Sequence, residues 1–512
     1  MSAQELDTVA AESAGQVGDV ASAAPARRDN RLRIALGVIV ICQLMVIIDG
    51  TIVNVALAKI QKDLDFSPSS LAWIQSAYSL AFGGLLLLGG RAGDVFGRLR
   101  LFIGGLALFT LASLAAGLAP SAGALITARA AQGVGAAFAA PASLALLATT
   151  FKDGTERQRA LGVFSMIAGL GLTLGLILGG LLSTASWRWV FVINVPFGIG
   201  VIALARPFLQ DTPRHPARFD VAGAAVSTAG MVSLVYGFIR AASDGWSDGL
   251  AVAMLAAGVV LLLGFLAIEA NVGQPIMPLR LFGARSRAGA YINMLFLSAA
   301  MGSTFFFLSL FIQRVLDLSP LQTGLAFLPM AAVQFGSART APKLVARLGP
   351  KAVIMAGTLV AMVAALWLTQ LDGTTTYPGG LVGPLILVGL GIGLAFMPLN
   401  MVILAELPPR DTGSASGLLQ CLQQIGLAVG IAVLTTVYST SLRDSAHHPN
   451  PALSPQEQLH HDLGKGIAAS FVVLVAFIAV ALAVTVLVFK RRPRPVPAVA
   501  VPASPQSTSS DA

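Results

Sequence analysis

Two ionisable residues lie inside long apolar stretches of the sequence, where more than packing is expected of them. Asp49 lies in the apolar stretch 34–57, and Arg129 lies in the apolar stretch 122–149. A carboxylate at the centre of a membrane-spanning helix costs about 2.5–3.5 kcal/mol on insertion scales, so Asp49 should face a helix bundle or a water-filled passage. Because removal from water favours the neutral form of a carboxyl group, reversible proton binding is the candidate chemistry of Asp49.

The depths of Asp49 and Arg129 in their stretches predict that the two side chains meet. Asp49 lies about 9 residues, or roughly 13 Å, from the outer end of its helix, and Arg129 lies about 8 residues, or roughly 12 Å, from the outer end of its own. Our hypothesis is that Arg129 controls the proton affinity of Asp49. The alternatives are a purely structural ion pair, a position of Asp49 near water at a helix end, and an Arg129 that only caps backbone carbonyl groups.

The loop after the second apolar stretch combines glycines, an acid and a base at fixed spacing. It contains Gly90, Asp94, Gly97 and Arg98. Glycine permits a tight turn, and the aspartate can make a charge-assisted contact with another group of helices. We expect these residues to latch one conformation of a two-state protein. The alternative is a short basic loop that only fixes orientation.

The fifth apolar stretch, 160–184, is rich in glycine. Gly171, Gly175 and Gly179 recur every four residues, and Gly180 follows. Small residues at this spacing form a groove that lets a neighbouring helix approach closely. Generic helix packing is the alternative to a specialised role for this groove.

The composition indicates that these stretches span a membrane. Of the 512 residues, 55% are hydrophobic and 11% are charged, whereas soluble proteins carry about 25% charged residues. A span needs about 20 mainly apolar residues, and fourteen stretches meet this length. They are 34–57, 71–89, 99–119, 122–149, 160–184, 189–209, 219–240, 249–269, 287–313, 321–342, 352–371, 379–404, 413–438 and 466–489. The predicted fold class is an all-α polytopic membrane protein.

The basic residues predict the orientation of the chain. With both termini in the cytoplasm, 25 of the 33 lysines and arginines fall in cytoplasmic segments and 7 in outer segments, as the positive-inside rule requires. The segment 343–351 is a degenerate copy of the loop 90–98, with Gly349 aligned to Gly97. This weak repeat indicates two related bundles of six helices, a known transporter plan.

The domain prediction follows from these spans. Residues 1–32 and 491–512 are expected to be disordered cytoplasmic tails, because they are polar and contain no long apolar run. Residues 33–210 should form an N-terminal six-helix bundle, and residues 211–270 should form two inserted helices. Residues 271–490 should form a C-terminal six-helix bundle with an outer loop at 440–464.

Four segments resemble the signatures of the fourteen-span drug:proton antiporter branch of the major facilitator superfamily. They are IDGTIVNVAL at 48–57, the loop at 90–100, RAAQGVGAA at 129–137 and the glycine-rich span at 160–184, with a further match, WRWVFVINVP, immediately downstream at 187–196. The resemblance covers nearly all of residues 33–490. The chain departs from the signatures at Ala58, which replaces a proline, and at Val95 and Leu99, where the loop motif commonly has basic residues. It also departs at Leu176, which follows Gly175 where the antiporter motif has proline.

The resemblance implies a major facilitator fold of fourteen transmembrane helices arranged as 6+2+6. It implies a monomeric exporter in the inner (plasma) membrane that exchanges drug-like amphipathic compounds, cationic or neutral, for protons by alternating access. Asp49 and Arg129 would couple transport to protons, and the glycines of the fifth span would form an antiporter-type helix. The expected partners are these small molecules, protons and the lipid bilayer, and the proton gradient replaces any cofactor.

A multidrug site should be large and apolar, with aromatic side chains and a few polar anchors. Resemblance and depth together suggest ten residues: Tyr78, Asn293, Met301, Phe305, Phe306, Gln334, Asn400, Gln420, Gln423 and Gln424. The last three lie within an arc of about 100° and form one polar face of a helix. For each residue, packing or a hydrogen bond between helices is the alternative.

Other functions find less support in the sequence. Both cysteines lie in apolar stretches, and the paired histidines 447–448 and 460–461 lie in one outer loop, so we expect no metal site. No phosphate-binding loop is present, and orientation explains the basic residues without a nucleic-acid partner. The rivals to a multidrug exporter are a narrow-specificity exporter of one antibiotic or metabolite, a polytopic membrane enzyme and a non-transporting sensor. An enzyme is not expected, because buried histidines and paired carboxylates are missing from the sequence pattern.

Overall fold

The computed structural model describes residues 3–66, 73–151, 154–211, 220–273, 275, 277–405, 407–408, 411–447 and 454–489. Within these ranges the chain is helical and forms fourteen long helices. They are α1 (Ala3–Asp63), α2 (Trp73–Phe96), α3 (Arg98–Gly117), α4 (Ala122–Thr150), α5 (Gly154–Ala185), α6 (Trp189–Val192 continued by Asn194–Phe208), α7 (Val221–Asp244), α8 (Gly249–Asn271), α9 (Arg285–Arg314), α10 (Pro320–Ala326 continued by Leu328–Leu348), α11 (Pro350–Leu368), α12 (Tyr377–Leu404), α13 (Thr412–His447) and α14 (Pro455–Val488).

Twelve of these helices are long and apolar enough to cross a membrane. The other two are α5, which contributes the shorter apolar segment Thr173–Ala185, and α10. Helix α10 carries Gln334, Arg339 and Lys343, whose side chains lower its mean hydropathy. The chain is therefore a multi-pass membrane protein.

The first and last six helices repeat the same pattern of neighbours. In the N-lobe (α1–α6), α4 packs against α1, α2 and α3, while α6 packs against α1 and α3. In the C-lobe (α9–α14), α12 packs against α9, α10 and α11, while α14 packs against α9 and α11. The two lobes therefore have the same internal arrangement, in agreement with the repeat expected from the sequence.

Two glycines make equivalent turns in the two lobes. Gly97 joins α2 to α3 with a φ of 102°, and Gly349 joins α10 to α11 with a φ of 79°. Residues with a side chain rarely adopt this backbone conformation. The alignment of these two glycines in the sequence thus corresponds to one structural position.

The lobes meet along two seams. At one seam α5 packs against α10 and α12, and at the other α2 packs against α13. Helix α7 lies against both α2 and α13, and α8 packs on α7. Helices α7 and α8 thus form a hairpin beside the second seam.

Two segments differ from the sequence-based prediction. Residues 3–32 were expected to be disordered, but they form the beginning of α1, and the alanine, glutamate and glutamine residues there have high helix propensity. Much of the predicted outer loop 440–464 is also helical, because α13 extends to His447 and α14 begins at Pro455. Ser454 and Glu457 form a capping box that fixes the start of α14. The predicted tail 491–512 lies outside the described residues.

Candidate functional site

Asp49 lies at the centre of a buried polar cluster in the N-lobe. Its side chain has no exposed surface, and Arg129 Nη1 of α4 lies 2.5 Å from its Oδ2 atom. The other carboxylate oxygen, Oδ1, accepts hydrogen bonds from Gln132 Nε2 at 3.0 Å and from Asn194 Nδ2 at 3.1 Å. The carboxylate therefore receives donors from two helices, α4 and α6.

Arg129 is held by further contacts with α2. Its Nε atom donates to the backbone oxygen of Ile74 at 3.0 Å, and its guanidinium carbon lies 4.4 Å from the ring centre of Tyr78. Its Nη1 atom also donates to Gln132 Oε1 at 3.0 Å. Removal of one partner of a buried ion pair strongly destabilises a protein, because the other charge stays buried without compensation. Asp49 and Arg129 therefore depend on each other.

A break in α6 places Asn194 beside Asp49. Pro196 has no N–H group to donate to the backbone oxygen of Val192, and the helix is interrupted between Val192 and Asn194. Asn194 is buried and starts the second part of α6. The sequence Asn194-Val195-Pro196 thus turns an amide side chain into the core of the lobe.

The predicted latch residues lie together at the seam between α2 and α13. Asp94 Oδ1 accepts from Arg98 Nη2 at 2.7 Å and from the backbone N–H of Gly413 at 3.1 Å. Asp94 Oδ2 accepts from the backbone N–H of Ser414 at 3.1 Å. A carboxylate at a helix N-terminus satisfies free N–H groups and interacts favourably with the helix dipole, so Asp94 fastens the N-lobe to the first turn of α13.

The glycines of the latch allow this contact. A methyl group on Gly90 would approach the backbone oxygen of Gly413 to 2.6 Å. A methyl group on Gly97 would approach Asp211 Oδ2 to 2.8 Å, and the carboxylate of Asp211 also accepts from the N–H of Leu99.

A hydrogen bond joins the lobes at the other seam, between α5 and α12. It runs from Arg157 Nη2 to the backbone oxygen of Leu404 at 2.7 Å.

The glycines of α5 serve two different neighbours. A methyl group on Gly171 would approach Ile47 of α1 to 2.6 Å, and one on Gly175 would overlap Thr51 of α1. A methyl group on Gly180 would instead approach Leu321 of α10 to 3.3 Å. Gly179 is buried. The groove therefore lets α5 approach α1 within the N-lobe and α10 across the seam.

Three of the ten proposed substrate residues are buried amides of the C-lobe with unsatisfied atoms. Neither amide atom of Gln334 has a hydrogen-bond partner among the described residues, and the same holds for Asn400 Oδ1 and Gln420 Nε2. Asn400 Nδ2 donates across the seam to Ser165 Oγ of α5 at 2.9 Å. Unsatisfied buried amides cost free energy, so these three are the best candidates to bind a polar group of a cargo.

Other proposed substrate residues have different surroundings. Met301 and Gln424 are half-buried, and Gln423 Nε2 lies 3.4 Å from Met294 Sδ. Phe305 packs against Phe327 with ring centres 4.6 Å apart.

Phe306 is 44% exposed, and its ring contacts Phe307 edge-on with centres 5.2 Å apart. Nothing in these contacts distinguishes it from a residue that faces lipid.

Two of the ten residues have structural roles instead. Asn293 is hydrogen-bonded through both amide atoms, to Gly289 in its own helix and to Thr485 of α14. Tyr78 lies on Arg129 and donates to the backbone oxygen of Val46 at 3.4 Å. These contacts favour a structural role for Asn293, whose place in a substrate cavity stays a prediction, and they put Tyr78 in the cluster around Asp49.

The sequence analysis missed three polar residues of the Asp49 cluster. They are Gln132, Asn194 and Ser113, whose Oγ atom accepts from Gln132 Nε2 at 2.6 Å. Each is a polar residue in an apolar helix, and such residues in a membrane must find partners. That signal could have pointed to all three. Within the described residues, no three histidine, cysteine, aspartate or glutamate side chains are grouped to hold a metal ion.

Comparison with known proteins now identifies the family. The sequence pattern of the Major Facilitator Superfamily matches residues 39–431. The chain belongs to the Major Facilitator Superfamily. It is therefore a membrane transporter and not an enzyme, and the drug-exporter branch is the part of the family that its relatives represent.

Three relatives illustrate this branch. The chain is 39% identical over 466 residues to the puromycin resistance protein of Streptomyces alboniger, which covers 90% of this chain and 92% of that protein. It is 40% identical over 399 residues to a cephamycin export protein of Amycolatopsis lactamdurans, covering 77% of this chain and 82% of the relative. It is 33% identical over 405 residues to the multidrug resistance protein Stp of Mycobacterium tuberculosis, covering 78% of this chain and 74% of the relative.

Solved structures share the fold at low sequence identity. The human organic anion transporter MFSD10 superposes with a TM-score of 0.61 at 17% identity and covers 88% of this chain and 99% of its own. The proton:xylose symporter XylE superposes with a TM-score of 0.57 at 14% identity, and the match covers 88% of this chain and 96% of XylE. This likeness concerns the arrangement of helices alone.

Proposed function

We propose that this protein is a proton-coupled antiporter that exports drug-like amphipathic compounds by alternating access. The observation that carries the proposal is the fully buried Asp49 carboxylate, paired with Arg129 inside a membrane-embedded lobe. Such a group is costly in a membrane and marks proton or substrate pathways. The names of the relatives, which refer to puromycin, cephamycin and multidrug resistance, support an exporter of drug-like compounds.

The proposed topology has fourteen spans in a 6+2+6 arrangement with both termini in the cytoplasm. The repeated neighbour pattern of the two lobes and the separate α7–α8 hairpin support it. Helices α5 and α10 would complete the fourteen spans, since each packs along its neighbours and across the seam. In this orientation the Asp94 latch lies at the cytoplasmic side.

The proposed cycle uses the two lobes as rocking bodies. Asp94 and Arg98 hold the cytoplasmic ends of α2 and α13 together, so the state with this latch closed would face outward. Proton binding to Asp49 would then favour the opposite state. A proton that enters across 100 mV releases about 2.3 kcal/mol, which sustains a gradient of roughly fiftyfold for a neutral cargo exchanged for one proton.

The proposed cargo binds between the lobes, with the unsatisfied amides of Gln334, Asn400 and Gln420 as polar contacts. These groups are uncharged donors and acceptors, so they suit a neutral or cationic compound that has its own hydrogen-bonding groups. The transporter would act as a monomer and need no cofactor besides the proton gradient.

Efflux from proteoliposomes tests the proposal. An imposed pH gradient should drive puromycin transport by the wild type, and Asp49→Asn should abolish this gradient-driven transport. Exchange of labelled for unlabelled puromycin without a gradient serves as a control, because it needs no net proton movement and should survive in the variant. Unchanged gradient-driven efflux by Asp49→Asn would remove Asp49 from the coupling role.

A narrow-specificity exporter is the second candidate function. Two relatives are named for single antibiotics, puromycin and cephamycin, whereas Stp is named for multidrug resistance. A pump-deleted bacterial host that expresses this protein should be tested against puromycin, lincomycin, a cephamycin and tetracenomycin C. Resistance to several compounds favours the multidrug exporter, and resistance to one favours the narrow alternative.

A further inference from the structure

The hydrogen bonds around Asp49 suit its ionised form only. Oδ2 faces the guanidinium of Arg129, and Oδ1 faces the amide N–H groups of Gln132 and Asn194. All three groups donate. A protonated carboxyl group has an O–H of its own that needs an acceptor, and an unsatisfied buried O–H is costly. One of the three neighbours must therefore change when Asp49 takes up a proton.

Arg129 and Gln132 cannot supply the acceptor in place. The guanidinium of Arg129 has donors only. The amide of Gln132 is fixed at both ends, because its Oε1 accepts from Arg129 at 3.0 Å and its Nε2 donates to Ser113 Oγ at 2.6 Å. A half-turn of this amide would break the bond from Arg129 and place the N–H groups of Gln132 against the guanidinium, which has no acceptor.

Asn194 has no such constraint among the described contacts. Its Nδ2 atom donates to Asp49 Oδ1 at 3.1 Å, and no second hydrogen bond of the amide is described. A half-turn about the last side-chain bond exchanges the nitrogen and oxygen atoms of an asparagine amide with little change in shape. The turned amide would place its oxygen within hydrogen-bonding distance of Asp49 Oδ1.

We propose that Asn194 is the proton-dependent partner of Asp49, donating to the carboxylate and accepting from the carboxylic acid after a half-turn of its amide. The proton resides on Oδ1, and the contacts of Oδ2 with Arg129 and of Gln132 with Arg129 are kept. Since Asn194 begins the second part of α6, proton binding on α1 changes a contact between α1 and α6. This inference rests on the proposed proton-binding role of Asp49.

Other titratable or charged groups near Asp49 do not take this role. Helix α4 contributes Arg129, and α2 contributes Tyr78, whose hydroxyl donates to the backbone oxygen of Val46. The α5 residues described against this part of α1 include Gly171, Gly175 and Leu174, which carry no charge. On α1 itself, Cys42 is buried two turns away from Asp49. Asn194 is thus the group placed to change from donor to acceptor when Asp49 takes up a proton.

Infrared difference spectroscopy on the purified full-length protein tests the proposal. Spectra recorded across a pH titration should show the carboxyl band of protonated Asp49, identified by its loss in Asp49→Asn. In protein labelled with carbon-13 in the asparagine side-chain amide, a shifted amide band should titrate at the same midpoint. That amide band should disappear in both Asn194→Thr and Asp49→Asn.

The outcomes separate this inference from the proposed function. An Asp49 carboxyl band that titrates while all asparagine amide bands stay constant would overturn the role of Asn194 alone. Absence of any Asp49 carboxyl band, together with normal gradient-driven efflux by Asp49→Asn, would overturn the proton-binding role as well.

Two variants supply a functional readout. Asn194→Leu offers neither a donor nor an acceptor, and gradient-driven puromycin efflux should fall about tenfold or more with an altered pH profile. Asn194→Thr carries a hydroxyl that can rotate to donate or accept, so it should recover part of the transport. Identical pH profiles for wild type and Asn194→Leu would contradict the proposal, and the labelled wild type tests it even if the leucine variant folds poorly.

Discussion

The Asp49 cluster of the N-lobe and the buried amides of the C-lobe differ in charge and in hydrogen bonding. In the N-lobe, Asp49 and Arg129 carry charge, and both are surrounded by hydrogen-bonding partners. In the C-lobe, the buried polar residues described between 289 and 404 are all uncharged, and Gln334 has neither amide atom paired among the described residues. A buried charge needs nearly complete pairing, whereas an unpaired amide costs only about 1–3 kcal/mol. The comparison suggests a division of labour, with the proton site in the N-lobe and polar cargo contacts in the C-lobe.

The largest effect is expected from Arg129→Met, which leaves the Asp49 carboxylate buried and without its cation. Breaking a buried pair in this way costs about 3–5 kcal/mol, and gradient-driven efflux should be lost. Thermal unfolding in detergent measures the change. The double variant Asp49→Asn/Arg129→Met is the control, since it removes both charges and should regain much of the stability without transport. A single variant as stable as the wild type would show that the N-lobe does not depend on this pair.

A second large effect is expected from Asp94→Asn. The variant replaces a charged acceptor of Arg98 and of the first turn of α13 with a neutral one, and hydrogen bonds to charged groups contribute about 1.5–3 kcal/mol each. The seam between α2 and α13 should open more often. A cysteine placed at Ala415, which is buried in α13, should then react about tenfold faster with a thiol reagent.

Asp211→Asn is the matched control for the latch. Asp211 accepts from the N–H of Leu99, a contact within the loop region of the N-lobe, so its loss should leave the reactivity at position 415 nearly unchanged. Equal acceleration by both variants would mean that the loop, and not the contact of Asp94 with α13, holds the lobes together.

A smaller effect of opposite sign is expected from Gln334→Leu in the C-lobe. Removing an unpaired buried amide should stabilise the protein without cargo by about 1 kcal/mol, and it should weaken puromycin binding. Asn293→Leu is the contrasting control, because it breaks paired bonds to Gly289 and Thr485 and should destabilise the lobe. A lower stability of Gln334→Leu would show that the amide of Gln334 has a structural partner and is not reserved for binding a cargo.

The smallest effect is expected from Asp372→Asn, in an exposed loop of the C-lobe. The hydrogen bond from Thr375 holds the pKa of the Asp372 carboxyl below its ordinary value. A lowered pKa in the folded state stabilises the fold above the ordinary pKa of about 4, and this contribution is lost as the pH falls through the folded-state value. Asp372→Asn should therefore lower the free energy of unfolding at pH 7 by less than about 1 kcal/mol after solvent screening, and by a smaller amount at pH 3. Equal changes at both pH values would contradict this.

Hydrophobic patterning predicted much of the fold. The fourteen apolar stretches correspond closely to α1–α14, and twelve of these helices are long and apolar enough to cross a bilayer. The repeat of Gly97 at Gly349 was visible because positive φ restricts the residue type. The helical residues 3–32 were missed, because a polar composition was taken to exclude structure although alanine and glutamate favour helices.

The polar clusters were predicted less completely than the helices. Depth along two helices placed Asp49 beside Arg129, because each residue adds a fixed rise. Depth alone does not give the rotation of a helix, so it did not predict the hydrogen bond between Asn293 and Thr485 of α14. Gln132 and Asn194 were missed for a related reason, since their pairing with Asp49 depends on how α4 and α6 turn toward α1.

Proton release on cargo binding tests the central claim most directly. Purified protein in weakly buffered solution would be mixed with puromycin or another compound that it transports, and the pH change would be recorded beside the binding isotherm. If Asp49 exchanges its proton for cargo, the wild type releases protons, and Asp49→Asn binds the compound without releasing them. Equal proton release by the two proteins would contradict the assignment of Asp49 as the coupling carboxylate.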